Sequence, residues 1–192
     1  MRWEVLQSER MYQCRMFSVR RHYSRSLSSG MAGDFYVIET RDWVNVVPLT
    51  ADRRLVLVRQ FRHSIANLSL EVPAGLIDES DASPQAAALR ELREETGYAG
   101  DKIVPLGVVH PNPALMNNRC YMFAAYDVEL VSAPQWDVTE ELVVETVAVE
   151  EIGELIRGGA ITNALTLVAF QLMAVRGAPG AGHLWPGPAP EG

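Results

Sequence analysis

The stretch from Ser83 to Gly97, SPQAAALRELREETG, constrains this chain more than any other. Ser83 suits a helix N-cap, Pro84 suits the first helical position, and Gly97 supplies a left-handed stop, so both ends of a helix over residues 84–96 are written in the sequence. At 100° per residue, Ala88, Leu89, Leu92 and Thr96 share one arc, which predicts a core face. Glu91 and Glu95 lie only about 40° apart on the adjoining face, with Glu94 flanking them. Like-charged neighbours at this spacing cost an isolated helix roughly 0.2–0.5 kcal/mol per pair, and the helix dipole disfavours carboxylates near a C-terminal end. Compensation comes either from Arg90 and Arg93 on a solvated face or from a divalent cation such as Mg2+ or Mn2+ among oxygen ligands.

Around this helix the chain alternates strand and helix signals. FYVIETRDWVNVV (35–47) and RLVLVRQ (54–60) read as strands separated by a turn at Asp52, and another follows at 69–72. Further strands are expected at 103–109, 120–128 and 142–149, a short helix at 149–157 and a longer one at 163–175. Residues 5–23 read as an N-terminal hairpin, followed by a Ser/Gly turn at 26–33. The Gly/Pro-rich tail 177–192 is expected to pack loosely, with Trp185 as an anchor. This order predicts an α+β (mixed α/β) fold: residues 1–50 form a β-rich subdomain, 51–176 the main domain and 177–192 a tail.

The chain has 192 residues and a net charge of −7, unevenly spread: residues 1–63 hold 11 Arg and 6 acids, whereas 64–192 hold 6 bases and 18 acids. An acidic total excludes a general nucleic-acid-binding surface, which needs clustered Lys and Arg. No stretch reaches the 18 or so apolar residues of a membrane span, and the N-terminus lacks a secretory apolar core. Cys14 and Cys120 have no metal-ligand spacing and read as reduced thiols. These features predict a cytoplasmic protein.

The segment Glu71–Tyr98, EVPAGLIDESDASPQAAALRELREETGY, resembles the signature of Nudix hydrolases. The second half of that signature, Arg-Glu-aliphatic-any-Glu-Glu-any-Gly-aliphatic, stands at Arg90 to Tyr98, with Tyr98 in the final apolar place. The first half departs from it. Counting from Gly75, Asp81 occupies the place of the first Glu and Arg90 comes one residue late, so the loop is one residue longer and either Asp81 or Glu79 takes the first Glu's part. The resemblance implies a Nudix-type α/β/α sandwich and metal ligation by Glu91 and Glu95, with Glu94 secondary, Gly75 and Arg90 supporting, and the Ala74 carbonyl completing the metal's coordination.

Glu71-Val72-Pro73-Ala74-Gly75 resembles the lead-in of the ADP-ribose and nucleotide-sugar branch, and Arg59-Gln60-Phe61-Arg62 its phosphate-contacting segment. The resemblance assigns substrate binding to Arg62, to Arg59 and to Glu71. Arginine suits the role because its planar fork binds phosphate oxygens bidentately. Pro113 is placed like a downstream proline of ADP-ribose hydrolases. Asn117 and Arg119, in the same polar loop, are candidates to read a sugar or terminal phosphate, or to brace the loop. Trp43 is a candidate to stack on a nucleobase, or a core residue.

Asp137-Val138-Thr139-Glu140-Glu141 resembles the loop that brings a late Glu to the metals and attacking water, which assigns Glu140 as ligand and base. Glu141 or a helix glutamate such as Glu95 is the alternative base. Residues 3–50 resemble the subdomain through which this branch forms homodimers. The resulting expectation is Mg2+-dependent hydrolysis of ADP-ribose or a related nucleoside diphosphate sugar. A nucleoside triphosphate pyrophosphohydrolase and a non-catalytic nucleotide sensor are the competing classes.

Overall fold

The computed structural model describes residues 1–136 and 141–177. The chain folds into two units, one of Met1–Asp42 with Val109–Cys120, the other of Trp43–Val108 with the residues from Tyr121 onward.

The first unit contains a three-stranded antiparallel sheet of β1 (Trp3–Gln13), β2 (Ser18–Ser26) and β3 (Ala32–Glu39), in that order. Alternation along the strands sorts the side chains. One face is charged: Arg21 meets Glu9 and Asp34, and Arg25 meets Glu4. The other carries Trp3, Val5 and Phe35, each about half exposed, with Trp3 edge-on to Phe35 at 5.2 Å, alongside the Arg20–Glu39 ion pair. Every residue of β1 is exposed.

The remaining strands are β4 (Trp43–Leu49), β5 (Arg54–Arg62), β6 (Asn67–Glu71), β7 (Ala74–Leu76), β8 (Tyr98–Ala99), β9 (Lys102–Val109), β10 (Cys120–Tyr126), β11 (Glu129–Leu130) and β12 (Leu142–Ala148). The helices are α1 (Pro84–Thr96), α2 (Ile152–Arg157) and α3 (Ala164–Val175). The main sheet runs β12-β5-β4-β10-β9. Leu55 of β5 pairs with Leu49 and Val147, while Val58 pairs with Glu71 and Val144, so β4 and β6 share the edge of β5 opposite β12. Short β7 lies against the start of β4, opposing Asn45 with Ala74. β4 is buried on both faces: Val44 and Val46 join Ala87, Ala88 and Leu92 of α1 in one apolar cluster, and α3 also packs near this strand. Burial of Thr166, Ala169, Phe170 and Met173 gives α3 its helical stripe. No helix among the described residues is long and apolar enough to cross a membrane.

Three expectations need correction. The strand expected over 35–47 is two strands, because Thr40–Asp42 leaves the three-stranded sheet and the chain restarts as β4 in the other unit. On α1 it is Ala87, not Leu89, that is fully buried, and Glu95 is buried with it. The inward stripe is thus turned toward the glutamates. The short helix expected at 149–157 begins as a 3-10 turn, Val149–Glu151. Neither Cys14 nor Cys120 is in a disulfide, and burial pushes the thiol of Cys120 up to about 12. The tail expectation for 178–192 and the assignment of Glu140 lie outside the described residues.

Candidate active site

The site is built where α1 meets the turn after β6. Ser83 Oγ accepts from the Ala86 amide at 3.1 Å, and Gly97, at φ 76°, sends its amide to the Arg93 carbonyl at 2.9 Å. Held at both ends, α1 presents its carboxylates to β7. Glu95 is only 6% exposed, and its Oε2 accepts the Ala74 amide at 3.0 Å. Glu91 folds its carboxylate over Gly75 so closely that a Cβ there would stand 2.1 Å from the carboxyl carbon. Gly75 is therefore glycine for space, and Glu91 and Glu95 bracket the Ala74–Gly75 backbone from one helix face.

Arg90 organises the loop before the helix. Its Nε and Nη2 donate to Asp81 at 3.0 and 2.9 Å, Nη2 also reaches the Leu76 carbonyl at 3.0 Å, and Nη1 donates to Glu91 and Glu94 at 2.9 and 2.8 Å. The guanidinium holds the Asp81 carboxyl below the usual range, and Asp81 in return is the largest cause raising Arg90. Asp81 also accepts the Asp78 amide at 2.8 Å. Of the two candidates for the first Glu's part it is Asp81 that meets Arg90; Glu79 is exposed. Among the described residues no three His, Cys, Asp or Glu side chains form a ready cation cage. Arg90 engages Glu91 and Glu94 where a cation would compete for them.

Arg59 and Arg62 of β5 emerge on opposite faces. Arg62 donates Nε and Nη2 to Glu71 at 2.9 and 2.6 Å. Burial raises the Glu71 carboxyl, but Arg62, Ser69 and Asn163 outweigh it, and the group ends below the usual range. Asn163 also caps α3, accepting the Thr166 amide at 2.9 Å. Arg59 turns to the other side and forks onto Glu145, which raises it.

Trp43 is half-buried, opposite Leu76 on β7. Glu141 is exposed just before β12. Pro113, Asn117 and Arg119 belong to the first unit and are exposed; the Asn117 amide donates to the Ile38 carbonyl at 3.3 Å, and the Arg119 amide to Asp42 at 2.7 Å. Sequence reasoning missed Trp136. Its Nε1 donates to the Glu95 carbonyl at 2.9 Å while the side chain stays exposed. A tryptophan immediately before the acidic run 137–141 was the available signal.

The NUDIX domain family matches residues 39–166, spanning the helix, the loop and the β5 arginines. The chain belongs to the Nudix family, and it is a hydrolase. It is 26% identical over 151 residues to the ADP-ribose pyrophosphatase of Bacillus subtilis (strain 168), covering 78% of this chain and 81% of that one. It is 25% identical over 166 residues to the ADP-ribose pyrophosphatase of Mycobacterium tuberculosis (strain ATCC 25618 / H37Rv), covering 86% and 80%. Similarity to the ADP-sugar pyrophosphatase of Mus musculus reaches 41% but over 83 residues, 41% of this chain and 38% of that one. In fold, the chain matches the crystal structure of an ADP compounds hydrolase with a TM-score of 0.80 at 24% identity, over 92% of this chain and 94% of the other.

Proposed function

We propose that this chain hydrolyses the pyrophosphate bond of ADP-ribose or a related nucleoside diphosphate sugar, using Mg2+, with Mn2+ as an alternative. The observation that carries this reading is the pair Glu91 and Glu95 bracketing Ala74–Gly75. Similarity to two ADP-ribose pyrophosphatases over most of the chain supports the substrate class.

The donor set is all oxygen, which suits a hard divalent cation, and the missing Cβ at Gly75 leaves the Glu91 carboxylate its place there. Glu91, Glu95 and the Ala74 carbonyl would hold the ion, with Glu94 secondary. Once bound, it supplies neutralisation of phosphate charge and polarisation of water and phosphorus–oxygen bonds. The chain's own part is positional. Glu71 holds the Nε–Nη2 edge of Arg62, and the Nη1 side of the guanidinium would be the part turned to phosphate oxygens. Water adds its oxygen to one phosphorus, the bridging oxygen leaves with the other phosphate, and the proton passes to a carboxylate. We assign that carboxylate to Glu140, with Glu141 and Glu95 as alternates to be separated by their Gln variants.

The exposed Trp3, Val5 and Phe35 face supports a homodimer built through the first unit.

Turnover of ADP-ribose, other nucleoside diphosphate sugars and nucleoside triphosphates with Mg2+ tests the reading. Sugar derivatives are expected to be preferred, and Glu95→Gln to lower turnover at least about a hundredfold. Preference for triphosphates, or tight binding without turnover, overturns it.

A further inference from the structure

Between the end of β6 at Glu71 and the start of β7 at Ala74 the chain leaves the edge of β5 and joins that of β4. The two residues that make this passage, Val72 and Pro73, are buried, so their backbone polar groups need partners inside the protein. Proline has no N–H, and the Pro73 carbonyl accepts the Val46 amide at 3.0 Å. The Val72 amide donates to Thr166 Oγ1 at 3.2 Å, a partner 94 residues away in the chain. The next amide, that of Ala74, donates to Glu95. Three consecutive residues are thus held by α3, β4 and α1 in turn.

Thr166 is the polar member of an otherwise apolar stripe. It is fully buried with Ala169, Phe170 and Met173, where packing alone would be served by Ala or Val. A hydroxyl at such a place costs free energy unless it is hydrogen-bonded, and the bond from Val72 satisfies it. The Thr166 amide is taken by Asn163 Oδ1 at 2.9 Å, in the cap that starts α3, so the acceptor sits on a fixed helix end. Pro73 locks its own φ and restricts Val72, so a rotation at Val72 passes to Ala74 instead of being absorbed between them.

We infer that Thr166 is the positioning residue for the clasp between the Ala74 amide and Glu95, and through that clasp for the divalent cation. For the cation the inference rests on the pyrophosphatase reading above, to which it adds a support on α3; Thr166 itself touches neither cation nor substrate.

Four proteins are compared: wild type; Thr166→Val, which keeps the shape and removes the acceptor; Thr166→Ser, which keeps the acceptor; and Met173→Ala, which hollows the same stripe about two turns away. Amide hydrogen exchange in the metal-free proteins, at Ala74 relative to the centre of β5, reads the clasp apart from global opening. Mn2+ titration followed by EPR reads the cation site without turnover. Thr166→Val is expected to speed the relative exchange at Ala74 and to weaken Mn2+ binding, each by about tenfold or more; Thr166→Ser and Met173→Ala stay within about threefold of wild type on both, although Met173→Ala lowers Tm. Unchanged exchange and Mn2+ affinity in Thr166→Val, with Tm alone reduced, make the residue a packing contact of α3 and overturn the inference. Equal losses in Thr166→Ser or in Met173→Ala overturn it as well. If wild type binds Mn2+ yet cleaves no nucleoside diphosphate sugar, while Thr166→Val alone loses the metal, the inference stands and the pyrophosphatase reading fails.

Discussion

Arg90 grips Asp81 with two parallel hydrogen bonds, Nε to Oδ1 at 3.0 Å and Nη2 to Oδ2 at 2.9 Å, and the Asp81 side chain is only 6% exposed. The shorter acid, set in a loop one residue longer than the family pattern, reaches the same arginine. Replacing Asp81 by Asn removes the charge and leaves Arg90 shared between Glu91 and Glu94. A loss of about 1–3 kcal/mol in unfolding free energy is expected, read by urea denaturation.

The same contact predicts a direction in pH. Asp81 and Glu71 both sit below their usual range when folded, so the folded state holds their ionised forms more tightly than the unfolded chain does. Their contribution is full above the usual carboxylate range and is lost as pH falls through the depressed folded values. Stability between pH 6 and pH 3 is therefore expected to fall less steeply in Asp81→Asn and Glu71→Gln than in wild type. Equal slopes would remove these two carboxylates from the account of acid unfolding.

Two glycine-to-alanine variants are expected to fail differently. At Gly75 the obstructing atoms are the end of the Glu91 side chain, which can swing away. Gly75→Ala should fold, with Tm changed by a few degrees, yet lose about a hundredfold in kcat because Glu91 is displaced. At Gly97 the obstacle is the Ser132 carbonyl at 2.1 Å, which is backbone, and φ is 76°. Gly97→Ala should lose about 2–4 kcal/mol of stability.

Arg62→Ala removes the guanidinium proposed to reach the phosphates and breaks the ion pair of the buried Glu71. KM for ADP-ribose is expected to rise about tenfold or more, with Tm reduced as well. Arg62→Lys should recover little, since an ammonium offers a point charge where two parallel donors are needed. Arg59→Lys, on the opposite face of β5, should leave KM within about twofold.

The exposed Trp3, Val5 and Phe35 patch of the first sheet predicts a particle of twice 21.3 kDa in multi-angle light scattering at micromolar concentration. Val5→Lys combined with Phe35→Asp should yield monomers. A wild-type monomer would refute the dimer.

Local chemistry explains what was legible beforehand. The caps of α1, the β5 strand and the Glu91–Glu95 pair each depend on a few neighbouring residues, so they could be read directly. What escaped was set by distant partners. The strand through Phe35 and Val47 shows no break in β character; only pairing with different sheets divides it. β7 has three residues and exists because β4 offers an edge. That Arg59 and Arg62 face apart follows from their spacing of three once both lie in one strand, yet Glu145, which takes Arg59, is 86 residues away. Trp136 was visible only as an aromatic beside acids until its indole met α1.

Finally, the first unit draws on two stretches of chain, Met1–Asp42 and Val109–Cys120. The polypeptide consequently passes between the units three times, after Asp42, after Val108 and after Cys120. Cleavage of one peptide bond at any of these passages leaves at least one unit divided between the two fragments. A fragment starting at residue 39, where the family match begins, would keep Val109–Cys120 while discarding the strands with which it groups. Inheritance, excision and grafting of this protein must therefore treat both units as one cargo.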